Sequence, residues 1–423
     1  MEIPQPKDAQ VIPALALRSV TSKSGAGVYA SSDTLFKGAV FGRDSLEVAE
    51  DLLLIKPRLV RNILLTLGRL QGQEYNTENE EEPGKIIHEY RSTVVDGKPI
   101  DDISLSIFRN LSQKWGGDDR TMAYYGSVDA TPHFLRTLGM YTNAYGESFL
   151  DRKIHQKGDG NVSLREVAQR SSKWLLQKIA VSESGLVEYK RQNPHGIENQ
   201  VWKDSKEFYV HEDKQRANHD APIASIEVQG LAYDGLMAAA TRFFPDTADT
   251  YRNAAHVLRD QTIEHLWQND RNAFALGLDY DPDGQIRIIR TATANPAALL
   301  DTGFFDDLPP KMRQKYVTAI AQDITSGNFL TDAGIRSRSL SEAHLVDHWD
   351  YHGSYVSWPK ETYDIAKGMR RQGFPKLARQ LENRLLNVWL RNRSYPEFVY
   401  VDELGRVLAG PPSTHSHGEL TIV

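Results

Sequence analysis

From Ser45 onward the apolar residues Leu46, Ala49, Leu52 and Leu53 recur at helical spacing, and a second stripe runs through Leu59, Ile63, Leu64, Leu67 and Leu70. Repeats at i, i+3 and i+4 put apolar side chains on one face of a helix. Pro57 breaks the join between the two stripes. Thr131 as N-cap and Pro132 at the first helical position open a helix predicted over 131–146. Ser163 with Glu166 three residues on forms a capping box ahead of VAQRSSKWLLQKIA. Further helices are predicted over 222–244, 246–268, 309–324 and 359–390, the last interrupted near Gly373-Phe374-Pro375. Within that last segment Leu377, Leu381, Leu385 and Val388 make an apolar stripe.

Strand patterns are few. The best is ALGLDYDPDGQIRII, where Asp281-Pro-Asp-Gly284 turns a hairpin. Long polar loops are expected over 72–130, 183–221, 325–358 and 391–423, and loops of such length in a compact domain are usually functional. Roughly ten helices alternating with such loops suggest hairpins arranged in a ring, with a site built from loops at one end. No fixed repeat period is visible and no Pro/Ser-rich linker interrupts the chain. We therefore expect one all-α domain over 1–423, with an N-terminal arm at 1–39 and a tail at 405–423.

Composition narrows the partners. Apolar content of 40% and charged content of 25% are ordinary for a globular protein with a real core. The net charge of -6, with one short acidic cluster at 78–82, argues against nucleic acid or an anionic membrane. The absence of cysteine excludes disulfides and thiolate chemistry. No stretch reaches the length of a membrane span and the N-terminus lacks a secretory pattern, so the expected location is cytoplasmic.

His155 to Glu166 has the glycine and glutamate spacing of a calcium loop, but His155 and Lys157 stand where carboxylates are needed. A turn and a helix cap account for it better. Phosphate-binding, dinucleotide and zinc-protease motifs are all missing, and His415-Ser416-His417 is a loose pair in the tail. No metal and no cofactor are called for. What stands out is a set of loop stretches that combine Gly or Pro, an aromatic and a charge: FGRDSLE (41–47), EEPGKIIHEYR (81–91), YYGSVDATP (124–132), QVWKDSKE (200–207), YHGSYVSWP (351–359) and SYPEF (394–398). A sugar needs such residues, because its C–H face stacks on aromatics and its vicinal hydroxyls want paired acceptors and a bidentate donor. Each stretch also has a plainer explanation; Asp44 with Glu47, for instance, would make a respectable helix cap.

The order and content of these stretches resemble the amylo-α-1,6-glucosidase family, the glucosidase part of glycogen debranching enzymes and their bacterial relatives, from residue 40 to about 400. The resemblance implies an (α/α)6 barrel of helical hairpins, related to processing α-glucosidase I and more distantly to glucoamylases, and an inverting glycoside hydrolase. It makes Asp204 of the Trp-Lys-Asp motif the general acid and Glu397 of the Pro-Glu motif the general base. It puts Arg43 and Asp44 on the sugar being released, with Glu89, Arg91, Tyr125, Asp129, Trp202, Lys203, Arg336, His352 and Trp358 as further carbohydrate contacts. The chain departs from the family pattern in starting almost at the barrel, in lacking an aromatic last helix after the Pro-Glu motif, and in an extra residue in Gly-Ser-Tyr-Val-Ser-Trp-Pro.

Inversion asks one carboxyl to protonate the leaving oxygen and the other to activate water on the opposite face, about 6.5–9.5 Å away. The substrate expected is a short α-glucoside or oligosaccharide. Two rivals stay open: an (α/α)6 phosphorylase or an epimerase using histidines such as His88, His133 and His352, and a non-catalytic carbohydrate-binding ring. Whether Lys203 faces Asp204 decides how readily that acid keeps its proton.

Overall fold

The computed structural model describes residues 17–30, 36–392 and 396–408. Most of the expected arm, the His415–His417 pair and Tyr395 of the SYPEF stretch lie outside the described residues.

The helices fall where the apolar periodicity puts them. They are α1 (Gly42–Leu52), α2 (Pro57–Arg69), α3 (Asp102–Trp115), α4 (Ala130–Tyr145), α5 (Leu164–Val181), α6 (Ile226–Ala238), α7 (Ala248–Leu266), α8 (Pro310–Ile324), α9 (Pro359–Arg371) and α10 (Pro375–Asn392). The capping box forms, with Ser163 accepting from the Glu166 amide and Glu166 from the Ser163 amide. The candidate calcium loop is a hairpin that leads into this box, turning at Gly160 with φ 72°. α3 falls inside a segment expected to be loop; Asp101 caps it by accepting from the Ser104 amide at 2.9 Å. α9 and α10 separate at Gly373, whose φ of 88° lies in the left-handed region that glycine adopts cheaply.

Helices pair in sequence as inner and outer partners: α1 with α2, α4 with α5, α6 with α7, and α9 with α10. A short 3-10 turn at Asn295–Asp301 stands where another inner helix would, and α8 packs outside it. The inner elements α1, α4, α6, Asn295–Asp301 and α9 pack in that order around an axis. Lys360 and Lys367 of α9 join Asp51 of α1 and close the circuit. One apolar core runs from Val28 to Leu381 through all of these elements. Among the described residues no helix is long and apolar enough to cross a membrane.

Short strands form a collar at one end. β1 (Val40–Phe41), β2 (Glu89–Ser92) and β3 (Thr121–Tyr124) make an antiparallel sheet at the start of α1 and near that of α4. β4 (Ala224–Ser225), β5 (Gly277–Tyr280) and β6 (Ile286–Ile289) form a second sheet leading into α6, the last two strands being the predicted hairpin. β7 (Val356–Ser357) pairs with β8 (Val399–Tyr400) just ahead of α9. Inner helices therefore begin at the collar and share one polarity. Gly42 is needed at the first of these junctions, because a Cβ there would lie 2.0 Å from the Ile87 carbonyl oxygen.

Candidate active site

Because the inner helices start together, their first turns meet. α1 supplies Arg43 and Asp44, Asp129 is the N-cap position of α4, α6 supplies Glu227, the 3-10 turn begins with Asn295, and α9 supplies Glu361. A carboxylate in a first turn is favoured by the orphan amides and the helix dipole. Here that preference collects several carboxylates on one axis. Arg43 Nη1 donates to Asp129 Oδ2 at 2.8 Å, and its Nε stands 3.9 Å from Asp44. The N-cap of α1 is Phe41, so Asp44 is not a cap; it sits in the first turn with 40% of its side chain exposed.

Loops bring the remaining groups over this floor. Asp204 Oδ1 accepts from the Tyr351 hydroxyl at 2.8 Å and stands 3.7 Å from His352 Nε2. About a third of its side chain (32%) is open. Burial pushes the Asp204 pKa up, but His352, Arg43 and the Tyr351 hydroxyl outweigh it and hold the carboxyl below its ordinary value. Burial also depresses His352, so it favours the neutral ring, and its help to Asp204 is that of a donor more than of a cation. His352 is gripped by aromatics: Trp358 stacks on it at 4.9 Å, and Trp202 and Phe208 meet it edge-on. Trp358 Nε1 donates to the Tyr351 carbonyl at 2.6 Å, which fixes the loop that carries both residues.

Glu397 arrives from the far end of the chain. The β7–β8 ladder pairs Val356 with Tyr400 and Ser357 with Val399, and Phe398 packs on Trp358 at 5.1 Å. The Tyr351 hydroxyl is pushed up first by burial, then by Asp204, and also by Asp350 and Glu397. Tyr351 thus lies within the field of both expected catalytic carboxyls.

Lys203 turns the other way. It is wholly buried, its Nζ is 2.6 Å from Glu361 Oε1, and it lies over the Trp202 and Phe208 rings. Consecutive residues of one loop therefore do opposite jobs: Lys203 anchors it in the floor and Asp204 faces the opening. The expectation of Lys203 as a sugar contact is corrected by that burial. Tyr125 is likewise placed off the mouth, its hydroxyl donating to the Leu70 carbonyl at 3.0 Å where it ties down the end of α2. Arg336 is buried and donates to the carbonyls of Ser354, Asp402 and Glu403, so it braces loops. Glu89 and Arg91 pair with each other on β2, both buried; Glu89 feels the charge of Asp44 from below. His133 bonds Glu50 at 3.0 Å deeper in the ring, which separates it from His88 and His352.

Two residues escaped the sequence patterns. Glu227 accepts from Asn295 Nδ2 through Oε2, while its buried Oε1 has no hydrogen-bond partner. Burial pushes its pKa up to about 7 against the pull of Lys203, and Asp129 and Glu361 add to the rise. Glu361 was hidden inside a helical stripe. Both stand in the first turn of an inner helix, where a glutamate also serves the helix dipole and so carries no distinct sequence signal. Among the described residues no group of three His, Asp or Glu side chains is arranged to hold a metal.

No protein-family model matches the chain, and no curated protein does either. Solved structures do. A GH63 mannosylglycerate hydrolase from Thermus thermophilus in complex with Tris aligns at TM-score 0.59 and 16% identity, over 94% of this chain and 96% of that one. The same enzyme in complex with glucose aligns at TM-score 0.57 and 14% identity, covering 93% and 95%. A protein described as a wild-type glycosidase aligns at TM-score 0.53 and 14% identity, covering 93% and 88%. The fold is the (α/α)6 barrel. Identities this low carry the architecture alone, and the chemistry has to come from the mouth of this barrel.

Proposed function

We propose that the protein is an inverting, exo-acting glycoside hydrolase, with Asp204 as general acid and Glu397 as general base on water. The observation that carries this is that Tyr351, bonded to Asp204, also feels the charge of Glu397 from a distant loop, above a floor of Arg43, Asp44 and Asp129. An acid and a base flanking one cleft are what glycosidic cleavage requires. The aromatic wall of Trp202 and Trp358 offers the stacking surface a sugar ring takes.

Hydrolysis then runs as two coordinated proton transfers. Asp204 delivers a proton to the glycosidic oxygen as the bond to the anomeric carbon breaks. Glu397 takes a proton from a water that attacks that carbon from the opposite face, so the product anomer is inverted. Arg43, held by Asp129, and Asp44 bind hydroxyls of the released sugar and favour the flattened transition state. Asp204 must acquire its proton in spite of His352 and Tyr351, and exclusion of water by bound substrate favours the neutral acid.

The substrate class we favour is a short α-glucoside or oligosaccharide. The fold neighbour named for mannosylglycerate makes that compound a necessary member of any panel. Proton NMR of a disaccharide and glycoside panel, followed from the first minutes, tests the proposal. Release of a sugar with inverted anomeric configuration is expected, and a retained anomer, or phosphate-dependent cleavage, would overturn it.

A further inference from the structure

We infer, building on the glycosidase proposal, that the mouth selects glycosides with an uncharged leaving group and turns away those whose leaving group carries a carboxylate or phosphate. The basis is a mismatch between where the anionic and the cationic side chains of this pole point.

The acids face the opening. Asp44 and Asp204 expose 40% and 32% of their side chains. On the side where a leaving group must sit, beside Asp204, the Tyr351 hydroxyl donates to that carboxyl and also feels the charge of Asp350. Asp350 is held there by two hydrogen bonds, from the Ser205 hydroxyl at 2.9 Å and the His352 amide at 2.8 Å.

The cations face inward. Lys203 is wholly buried against Glu361. Arg338, also wholly buried, donates to the Phe208 carbonyl and lies 5.1 Å from that residue's ring. Arg336 is committed to backbone carbonyls. Arg43 is answered by Asp129 and Asp44 at the sugar-holding end. Farther out, the exposed Lys206 is followed directly by Glu207, which accepts from the Asp347 amide at 3.0 Å. Among the described residues, then, the leaving-group side offers carboxylates and aromatic faces, and its buried cations are turned to groups beneath it, Lys203 to Glu361, Arg338 to Glu342 and the Phe208 carbonyl, and Arg336 to backbone carbonyls.

An anion entering this space meets like charges at a few ångströms in a partly desolvated cleft, where repulsion is screened far less than in water. A neutral sugar or polyol meets acceptors for its hydroxyls and the partly exposed rings of Trp202 and Phe398 for its C–H faces. Discrimination of this kind works by repelling the wrong ligand as much as by gripping the right one.

Matched pairs test it: glucosylglycerol against glucosylglycerate, and mannosylglycerol against mannosylglycerate, which differ only in a hydroxymethyl and a carboxylate. In the pair whose sugar the enzyme accepts, the neutral member is expected to have a kcat/KM at least about 100-fold higher at low ionic strength. The ratio should shrink as salt is raised, because screening relieves only the charged partner. Asp350→Asn should shrink it as well, and the salt series on the wild-type protein stands independently if that variant folds poorly. Equal or faster cleavage of the carboxylate-bearing member, or a ratio insensitive to salt, would overturn the inference while leaving the glycosidase proposal standing. Turnover of no glycoside in the pairs or the wider panel would overturn both.

Discussion

The inner helices carry buried charges at both ends, and the two ends treat them differently. Near the far ends of these helices Arg136 sits among three carboxylates, 2.9 Å from Asp301, 3.3 Å from Glu50 and 3.5 Å from Asp234. Glu50 also takes the His133 ring and the Thr137 hydroxyl, and Lys367 joins Asp51 and Asp364. Burial alone would raise Glu50, yet Arg136 and His133 hold it far below the usual carboxylate range. A cavity of about 440 Å³ opens beside this network. At the collar end the cations are turned inward, so Asp44 and Asp204 stay partly open and Glu227 keeps an unpartnered oxygen. Acids thus make a brace at one pole and stay partly open at the other. Openness separates the two: Glu50, closed in by Arg136, His133 and Thr137, is nearly all covered, whereas Asp204 keeps a third of its side chain open beside its own partners.

Substitutions at each pole can break that contrast. The largest effect is expected from Asp204→Asn or Glu397→Gln, each lowering kcat by about 10²–10⁴-fold on the best substrate with little change in melting temperature. Unchanged turnover in both variants would remove the assignment. At the other pole Arg136→Met should leave Glu50, Asp234 and Asp301 without their guanidinium and destabilise the fold by about 3–5 kcal/mol in a denaturant titration. The folded fraction should keep near-normal kcat. A large loss of kcat with stability intact would show that the brace takes part in the chemistry.

The next effect is on pH-dependent stability. Glu227 has a folded-state pKa raised from 4.5 to about 7, so its favourable contribution is fully present below about 4.5 and is lost as pH rises through about 7. The wild-type melting temperature should therefore fall across that window relative to Glu227→Gln, which does not titrate. Parallel profiles for the two proteins would contradict the raised pKa. The smallest effect is expected from Tyr351→Phe. Removing a donor to the Asp204 carboxylate raises that acid's pKa, and the basic limb of the kcat/KM profile should move up by about one pH unit. A shift to lower pH would mean that Tyr351 does not stabilise the ionised form.

Helix positions were legible because burial is periodic: Leu46 and Ala49, or Leu381 and Val388, are inside for the reason their spacing indicates. α3 was not, since only Ser104, Phe108 and Trp115 of its residues are fully buried and the stripe is broken by serines. The inner 3-10 turn Asn295–Asp301 was too short to have a period. At the site, Asp204 and Asp129 could be found because they sit in loops dense in aromatics and glycine. Lys203 could not be oriented, because its direction is set by Glu361, more than a hundred residues away in another helix. Glu227 and Glu361 were illegible for a related reason: a glutamate in a first helical turn looks like ordinary dipole compensation until the ring shows what the turn faces.

The hydroxyl of Tyr351 stands 2.8 Å from Asp204 Oδ1, about the distance at which a glycosidic oxygen would take that acid's proton, with the difference that the tyrosine donates where the glycosidic oxygen would accept. On the assignment we propose, the tyrosine holds the place of the scissile oxygen in the resting protein. Arrival of a sugar trades one oxygen for another at Asp204 instead of wetting and then drying a bare carboxylate. The acid is aimed before there is anything to cleave, and the tyrosine has to step aside each time the barrel works.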